Sequence, residues 1–223
     1  MLHFWANAVA GESEQLRNCQ EGRQPDPIAT LHSAFEQTTA VTTKHNWLGT
    51  TTACGAQLHY KFPGDDQNST AVPLLHVTSL GDCQVMVVRP RSNEIIYKTT
   101  EQWHWFDCPR QLGTNSPDTP QQNAVMDSVE LEVGDVVLAM SDGVIDNLWG
   151  HEISATVIEC AKQLESEVDG KPSYDQPEQC HAVMKLTAER LVNAAKNIAL
   201  DPFAESPYME HAIEEGLASE GGK

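Results

Sequence analysis

The sequence predicts an α+β fold, with strands gathered in the middle of the chain and helices before and after them. Three observations point to it. Residues 1–16 and 28–41 carry apolar side chains at helical spacing, residues 49–140 hold short β-rich runs separated by turn residues, and residues 152–216 return to helical periodicity. At 223 residues and 40% hydrophobic content the chain is long enough to bury one substantial core, and residues 1–223 are read as a single domain. The sequence contains no internal repeat and no low-complexity tract.

Leu2, Trp5, Val9 and Leu16 fall near one face of a first helix that begins without a capping residue. Past the polar link EGRQPDP, Ile28, Leu31, Phe35 and Thr38 repeat at helical spacing, with Pro27 suited to the first turn. Residues 49–60 are rich in threonine and alternate like a strand, and GDDQNST closes them as a hairpin turn. Residues 73–80, QVMVVRP and NEIIYKTTE then predict three strands of an antiparallel meander. The Pro-, Gln- and Asn-rich stretch 108–127 predicts an ordered surface loop. Residues 128–133 and 135–140 predict a strand pair turning at Gly134, and the second strand, VVLAM, is apolar on both faces and expected to be central. Helices are predicted over 152–164, 178–198 and 208–216, with the polar GKPSYDQP between the first two.

Fourteen basic against 32 acidic residues give a formal charge of −18, which weighs against nucleic acid and anionic membrane surfaces as partners, because neutralising phosphates takes clustered Lys and Arg. No apolar run reaches the length of a transmembrane helix, so no membrane insertion is expected. The first residues show neither the basic flank and cleavage site of a signal peptide nor the arginines of a mitochondrial presequence. Cys19, Cys54, Cys83, Cys108, Cys160 and Cys180 form no Cys-x-x-Cys pair and no zinc spacing, and read as reduced thiols of an intracellular protein. Nothing in the sequence marks an oligomeric state.

The chemistry is concentrated where VVLAM ends. A buried strand running into Asp142-Gly143 and on to Asp146-Asn147 places carboxylates at a sharp turn, the oxygen-rich setting that Mg²⁺ and Mn²⁺ prefer. By itself Ser-Asp-Gly is read as a plain turn and Asp146 as a helix N-cap. The whole string 140–149, MSDGVIDNLW, resembles the late metal-ligand motif of the protein phosphatase 2C family. Residues 49–53, GTTTA, are similar to that family's Gly-Ser/Thr-Thr-Ala strand. LGDCQVMVV, with Gly81 and Asp82, is similar to its Gly-Asp-Ser strand, Cys83 taking the place of the serine. QWHWFDCPRQL, residues 102–112, resembles the subgroup that includes mitochondrial members, with Asp107 where Asn is common. DPFAESPYMEHAIEEG and the GGK ending at Lys223 resemble the closing helix of that subgroup and the Gly-Gly-Lys before its last metal-binding Asp.

The resemblance implies a partial phosphatase 2C-type sandwich of antiparallel β-sheets flanked by helices. It implies a metal-dependent protein-serine/threonine phosphatase, in which two Mg²⁺ or Mn²⁺ ions activate a water against phosphoserine or phosphothreonine. Carried over by position, Asp142 is a metal ligand, Asp146 is an accessory or supporting residue, and Gly143, Asn147, Gly81 and Asp82 are motif support. A phosphorylated protein is the implied substrate and mitochondria the implied compartment. The family's Asp-Gly-x-Gly-Gly motif and phosphate-binding Arg are expected before Met1 and its closing Asp beyond Lys223. The chain therefore reads as a truncated catalytic domain, with weak Mn²⁺ binding and little turnover expected. The alternative is a non-catalytic phosphatase-like binding module that presents residues 108–127 to phosphoproteins. Other candidates are weaker: Asp65-Asp66 as a second acidic cluster, Cys83 as a packed thiol without a Cys-x5-Arg loop, His104 as structural, and Arg89, Arg91 and Arg110 as surface ion pairs.

Overall fold

The protein is described here by a computed structural model that covers residues 1–18, 24–61, 71–165, 177–217 and 221–223. Its first elements are α1 (Leu2–Asn18), α2 (Pro27–Lys44), β1 (Thr50–Thr51), β2 (Ala53–Lys61), β3 (Val72–Leu80), β4 (Gln84–Arg89), β5 (Glu94–Lys98), β6 (Trp103–Trp105) and β7 (Cys108–Pro109). Then come β8 (Leu112–Gly113), α3 (Pro120–Asn123), β9 (Val125–Glu130), β10 (Val136–Met140), α4 (Asp142–Ile145), α5 (Gly150–Glu165), α6 (Pro177–Leu200) and α7 (Pro207–Glu214). They divide into two compact units, one made of residues 1–83 and 101–130, the other of residues 84–100 and 131–223. Both combine antiparallel strands with helices, so the α+β expectation holds.

In the first unit, α2 starts where Asp26 accepts a hydrogen bond from the Ala29 N–H at 3.0 Å and Pro27 supplies a preset φ. The helix buries Leu31 and Ala34, and Leu31 packs with Ala53, Leu80 and Leu112 while Trp5 and Phe35 close the cluster. Leu2, expected on the buried face of α1, is exposed. β2 and β3 pair along their full length, from Ala53 opposite Leu80 to Lys61 opposite Val72. The GDDQNST turn between them, with Asp65 and Asp66, lies outside the described residues. On its other side β3 pairs with β9, from Leu74 opposite Glu130 to Ser79 opposite Val125. Short pairs β1–β8 and β6–β7 organise the stretch expected to be a loop, and residues 125–127 of that stretch belong to β9.

In the second unit β4 is the central strand of the order β10-β4-β5, and Gln84 to Val88 are all buried. Met86 and Val88 join Val136, Met140, Ile145, Leu148, Ile153, Val157, Leu191 and Ala195 in one apolar cluster, so the core lies between this sheet and α4, α5 and α6.

Two expectations about pairing are corrected. The meander predicted for residues 73–101 is split, because β3 already has β2 and β9 on its two sides while β4 pairs with β5 and β10. The predicted pair of residues 128–133 with 135–140 does not form either, since β9 pairs with β3 and β10 with β4. β10 is an edge strand of its sheet among the described residues, and its Val137 and Ala139 are exposed. Apolar character on both faces reported composition there and not centrality, because a strand's place is set by hydrogen-bond partners distant in sequence.

Gly81 ends β3 with φ at 103°, a region that an L side chain rarely enters. A Cβ there would stand 2.5 Å from Thr52 Cγ2 and 2.7 Å from the Arg110 carbonyl oxygen. Gly81→Ala is therefore expected to destabilise the protein by about 2 kcal/mol or more. Gly143→Ala, whose new Cβ would meet only Ser141 Oγ at 3.7 Å, is expected to change stability by less than about 1 kcal/mol. Urea unfolding of the two variants measures the contrast.

Candidate functional site

β10 delivers the chain to α4, a single helical turn whose apolar residues fix it to the core: Met140, Ile145 and Leu148 are all buried in the cluster of the second unit. Ser141 is the N-cap with extended backbone, and the Asp146 N–H donates to the Asp142 carbonyl at 2.8 Å. A four-residue step on a helix puts two side chains on one face. Asp142 and Asp146 consequently face the same point. Asp142 Oδ1 accepts from the Gly143 N–H at 2.7 Å, while its Oδ2 lies 3.8 Å from the Lys223 ammonium. Asp146 Oδ2 is 3.0 Å from the same nitrogen. The Asp146 side chain is largely buried, at 11% exposure, against 47% for Asp142.

Lys223 is held there by its backbone. Asn147, with no exposed surface, accepts from the Lys223 N–H at 2.9 Å, donates to the Lys223 carbonyl at 2.8 Å and donates to the Gly143 carbonyl at 3.1 Å. Gly222 makes this approach possible, since a Cβ on it would stand 2.5 Å from Asn147 Oδ1 and 2.6 Å from the Ile198 carbonyl. The Lys223 ammonium also lies 4.9 Å from the centre of the Tyr208 ring.

Asp142, Gly143, Asp146 and Asn147 thus come together in the second unit. Gly81 and Asp82 belong to the first, where Gly81 exchanges hydrogen bonds with Gln102: its N–H donates to Gln102 Oε1 at 3.3 Å and its carbonyl accepts from the Gln102 N–H at 2.9 Å. Asp82 is buried at the end of β3. A cation already stands between the two carboxylates of the second unit, and their oxygens are the hard donors that Mg²⁺ and Mn²⁺ take. Among the described residues no group of three or more His, Cys, Asp or Glu converges. The donor set fits one hydrated cation and does not by itself fit a pair.

The clearest feature that sequence reasoning missed is Asp118 in the first unit. Its buried carboxylate meets His104 Nε2 at 2.9 Å, accepts from the Gln111 N–H at 3.0 Å and the Ser116 hydroxyl at 3.1 Å, and faces Arg110 at 3.4 Å. Burial pushes the carboxyl up, but the Gln111, His104 and Ser116 hydrogen bonds outweigh it and hold the group below the usual carboxylate range. His104 and Arg110 are therefore partners of this carboxylate, and the ion pair expected at the surface for Arg110 is made with a buried acid. Arg89 likewise grips Asp135 with two hydrogen bonds of 2.8 Å. The Cys83 thiol sits 3.0 Å from the Thr52 hydroxyl, and the neighbouring Cys54 thiol is pushed up to about 12, first by burial and then by Cys83. Neither has the setting of a nucleophile.

No protein-family model matches the chain. Protein phosphatase PTC7 homolog of Xenopus laevis is 28% identical over 225 residues, covering 93% of this chain and 64% of that protein. The human protein of the same name is 29% identical, covering 93% and 63%. Probable protein phosphatase 2C 80 of Arabidopsis thaliana is 29% identical, covering 93% and 41%. The chain thus spans less than two thirds of the length of these relatives. Among solved structures, the photosystem II phosphatase PBCP matches with a TM-score of 0.62 and 26% identity, over 96% of this chain and 67% of that one. No helix among the described residues is long and apolar enough to cross a membrane.

Two substitutions test the geometry. Asn147→Ala leaves the Lys223 and Gly143 backbone groups without their side-chain partner, and a loss of about 2–3 kcal/mol is expected in urea unfolding. For Asp118 the lowered folded-state pKa means that its stabilisation is present above the ordinary carboxylate pKa of about 4 and is lost as pH falls through the lower folded value. Melting curves of Asp118→Asn and the natural chain should therefore differ most at neutral pH and converge in acid.

Proposed function

Because the chain is a relative of the 2C-type protein phosphatases in sequence and in fold, we propose that residues 1–223 form part of the catalytic domain of a metal-dependent protein-serine/threonine phosphatase. The observation that supports this most directly is the α4 turn, where Asp142 and Asp146 face a single cation from a base anchored in the core. In this reading Asp142 is a ligand to Mg²⁺ or Mn²⁺, Asp146 supports it or holds an accessory cation, and Gly143 and Asn147 keep the turn in shape. Gly81 and Asp82 are motif support in the first unit.

A bound divalent ion supplies Lewis acidity and lowers the pKa of water. The chain's own contribution is orientation. The Gly143 N–H fixes one oxygen of Asp142 and leaves the other directed at the cation position. Asp146, mostly withdrawn from solvent, strengthens the field at that position. A protein carrying phosphoserine or phosphothreonine is the proposed substrate. The resemblance of residues 102–112 to the subgroup with mitochondrial members supports a mitochondrial setting, which fractionation of cells expressing the protein would check.

The two-carboxylate donor set favours one other reading, a phosphatase-like module that binds phosphoproteins without turnover. Both are tested with the purified 223-residue chain, Mn²⁺ and a phosphothreonine peptide. Weak Mn²⁺ binding is expected, Asp142→Asn should weaken it by at least about tenfold, the loss typical of disturbing even an outer partner of a ligand, and hydrolysis should stay near background. Strong metal-dependent turnover would show that these carboxylates are not the whole ligand set. Peptide binding without hydrolysis would favour the module. Mn²⁺ affinity untouched by Asp142→Asn would remove the metal assignment.

A further inference from the structure

We infer that Lys223 is a built-in counter-cation for the acidic turn: its ammonium holds the place of a divalent ion between Asp142 and Asp146, and metal entry and lysine withdrawal are one exchange. The inference rests on the reading of Asp142 as a metal ligand. Its ground is the position of one nitrogen, 3.0 Å from Asp146 Oδ2 and 3.8 Å from Asp142 Oδ2. Like charges four residues apart on a helical turn repel, and with one of them mostly buried the repulsion is weakly screened. A positive charge at that point removes the conflict.

The lysine is also built to leave. Asn147 fixes its backbone, so the point from which the side chain starts does not move. Beyond that point the four-carbon stem is flexible and the side chain is 32% exposed, which gives the ammonium a path to water. The Tyr208 ring, 4.9 Å from the nitrogen, adds a second attraction that favours the closed position when no metal is present. A divalent ion placed between the same oxygens would stand against this ammonium, so the lysine lowers metal affinity while keeping the metal-free turn in shape. An exposed lysine pair contributes little by itself. Here the consequence comes from where the charge stands.

Lys223→Met and Lys223→Gln, each checked for folding by circular dichroism, are compared with the natural chain by Mn²⁺ electron paramagnetic resonance and by melting in chelator and in Mg²⁺. Both variants are expected to bind Mn²⁺ about tenfold more tightly at low ionic strength, with the gap narrowing as salt is added. They should melt lower than the natural chain in chelator and gain more from Mg²⁺. Lys223→Arg, which keeps the charge, should return affinity toward the natural value. Equal or weaker Mn²⁺ binding by the folded Met and Gln variants overturns the exchange and leaves the Asp142 assignment standing. Absence of Mn²⁺ binding in every folded chain overturns both.

Discussion

Two carboxylates on one helical turn, one of them largely withdrawn from water, repel unless a positive charge stands between them, and the acidic corner of the second unit is arranged around that constraint. The apolar residues of α4 commit the turn to the core, which sets the Asp142 and Asp146 backbones on one helical face. Asn147 then brings a lysine backbone alongside, using its amide as donor and acceptor at once. Because Asn147 is buried, each of those hydrogen bonds matters more than it would at the surface, where water could replace it. Packing, hydrogen bonding and charge agree on one geometry.

The same rule recurs elsewhere in a chain with a formal charge of −18. Asp135 is nearly inaccessible and is met by the fork of Arg89, which also reaches Glu132 at 2.8 Å. Asp118 is held by a backbone N–H, a hydroxyl, an imidazole and a guanidinium. With few basic residues available, Arg89 and Arg110 are committed to holding buried acids. Among the described residues the acidity is therefore of two kinds, solvated carboxylates and buried ones that organise their surroundings.

Much of the secondary structure was legible because it is local. Pro27 marked the start of α2, threonine-rich alternation marked β2, and apolar periodicity marked α5 and α6. The hairpin neighbours β2–β3 and β4–β5 were legible from the turns between them, but the other partners were not, because β3 and β9 meet across some fifty residues, as the His76 to Ser128 hydrogen bond shows, and no short pattern records such a pairing. The site divides in the same way. MSDGVIDNLW announced the acidic turn through its own spacing, and the Gly-Gly-Lys string was visible as a motif. That Lys223 would lie between the two acids was invisible, since it depends on where α6 and α7 return the chain. Asp118 carried no signal, as its partners come from four positions that share no period.

The clamp between Asn147 and Lys223 joins residues 76 positions apart, and this sets the order in which the turn can be completed. Closing a loop of that length costs about 4 kcal/mol of chain entropy, which only the packing of α5, α6 and α7 can offset. Without those helices in place the lysine is not delivered and the acidic turn lacks its compensating charge. The corner therefore takes its charge balance from the far end of its unit, and loosening the C-terminal helices would remove the cation that stands between its carboxylates.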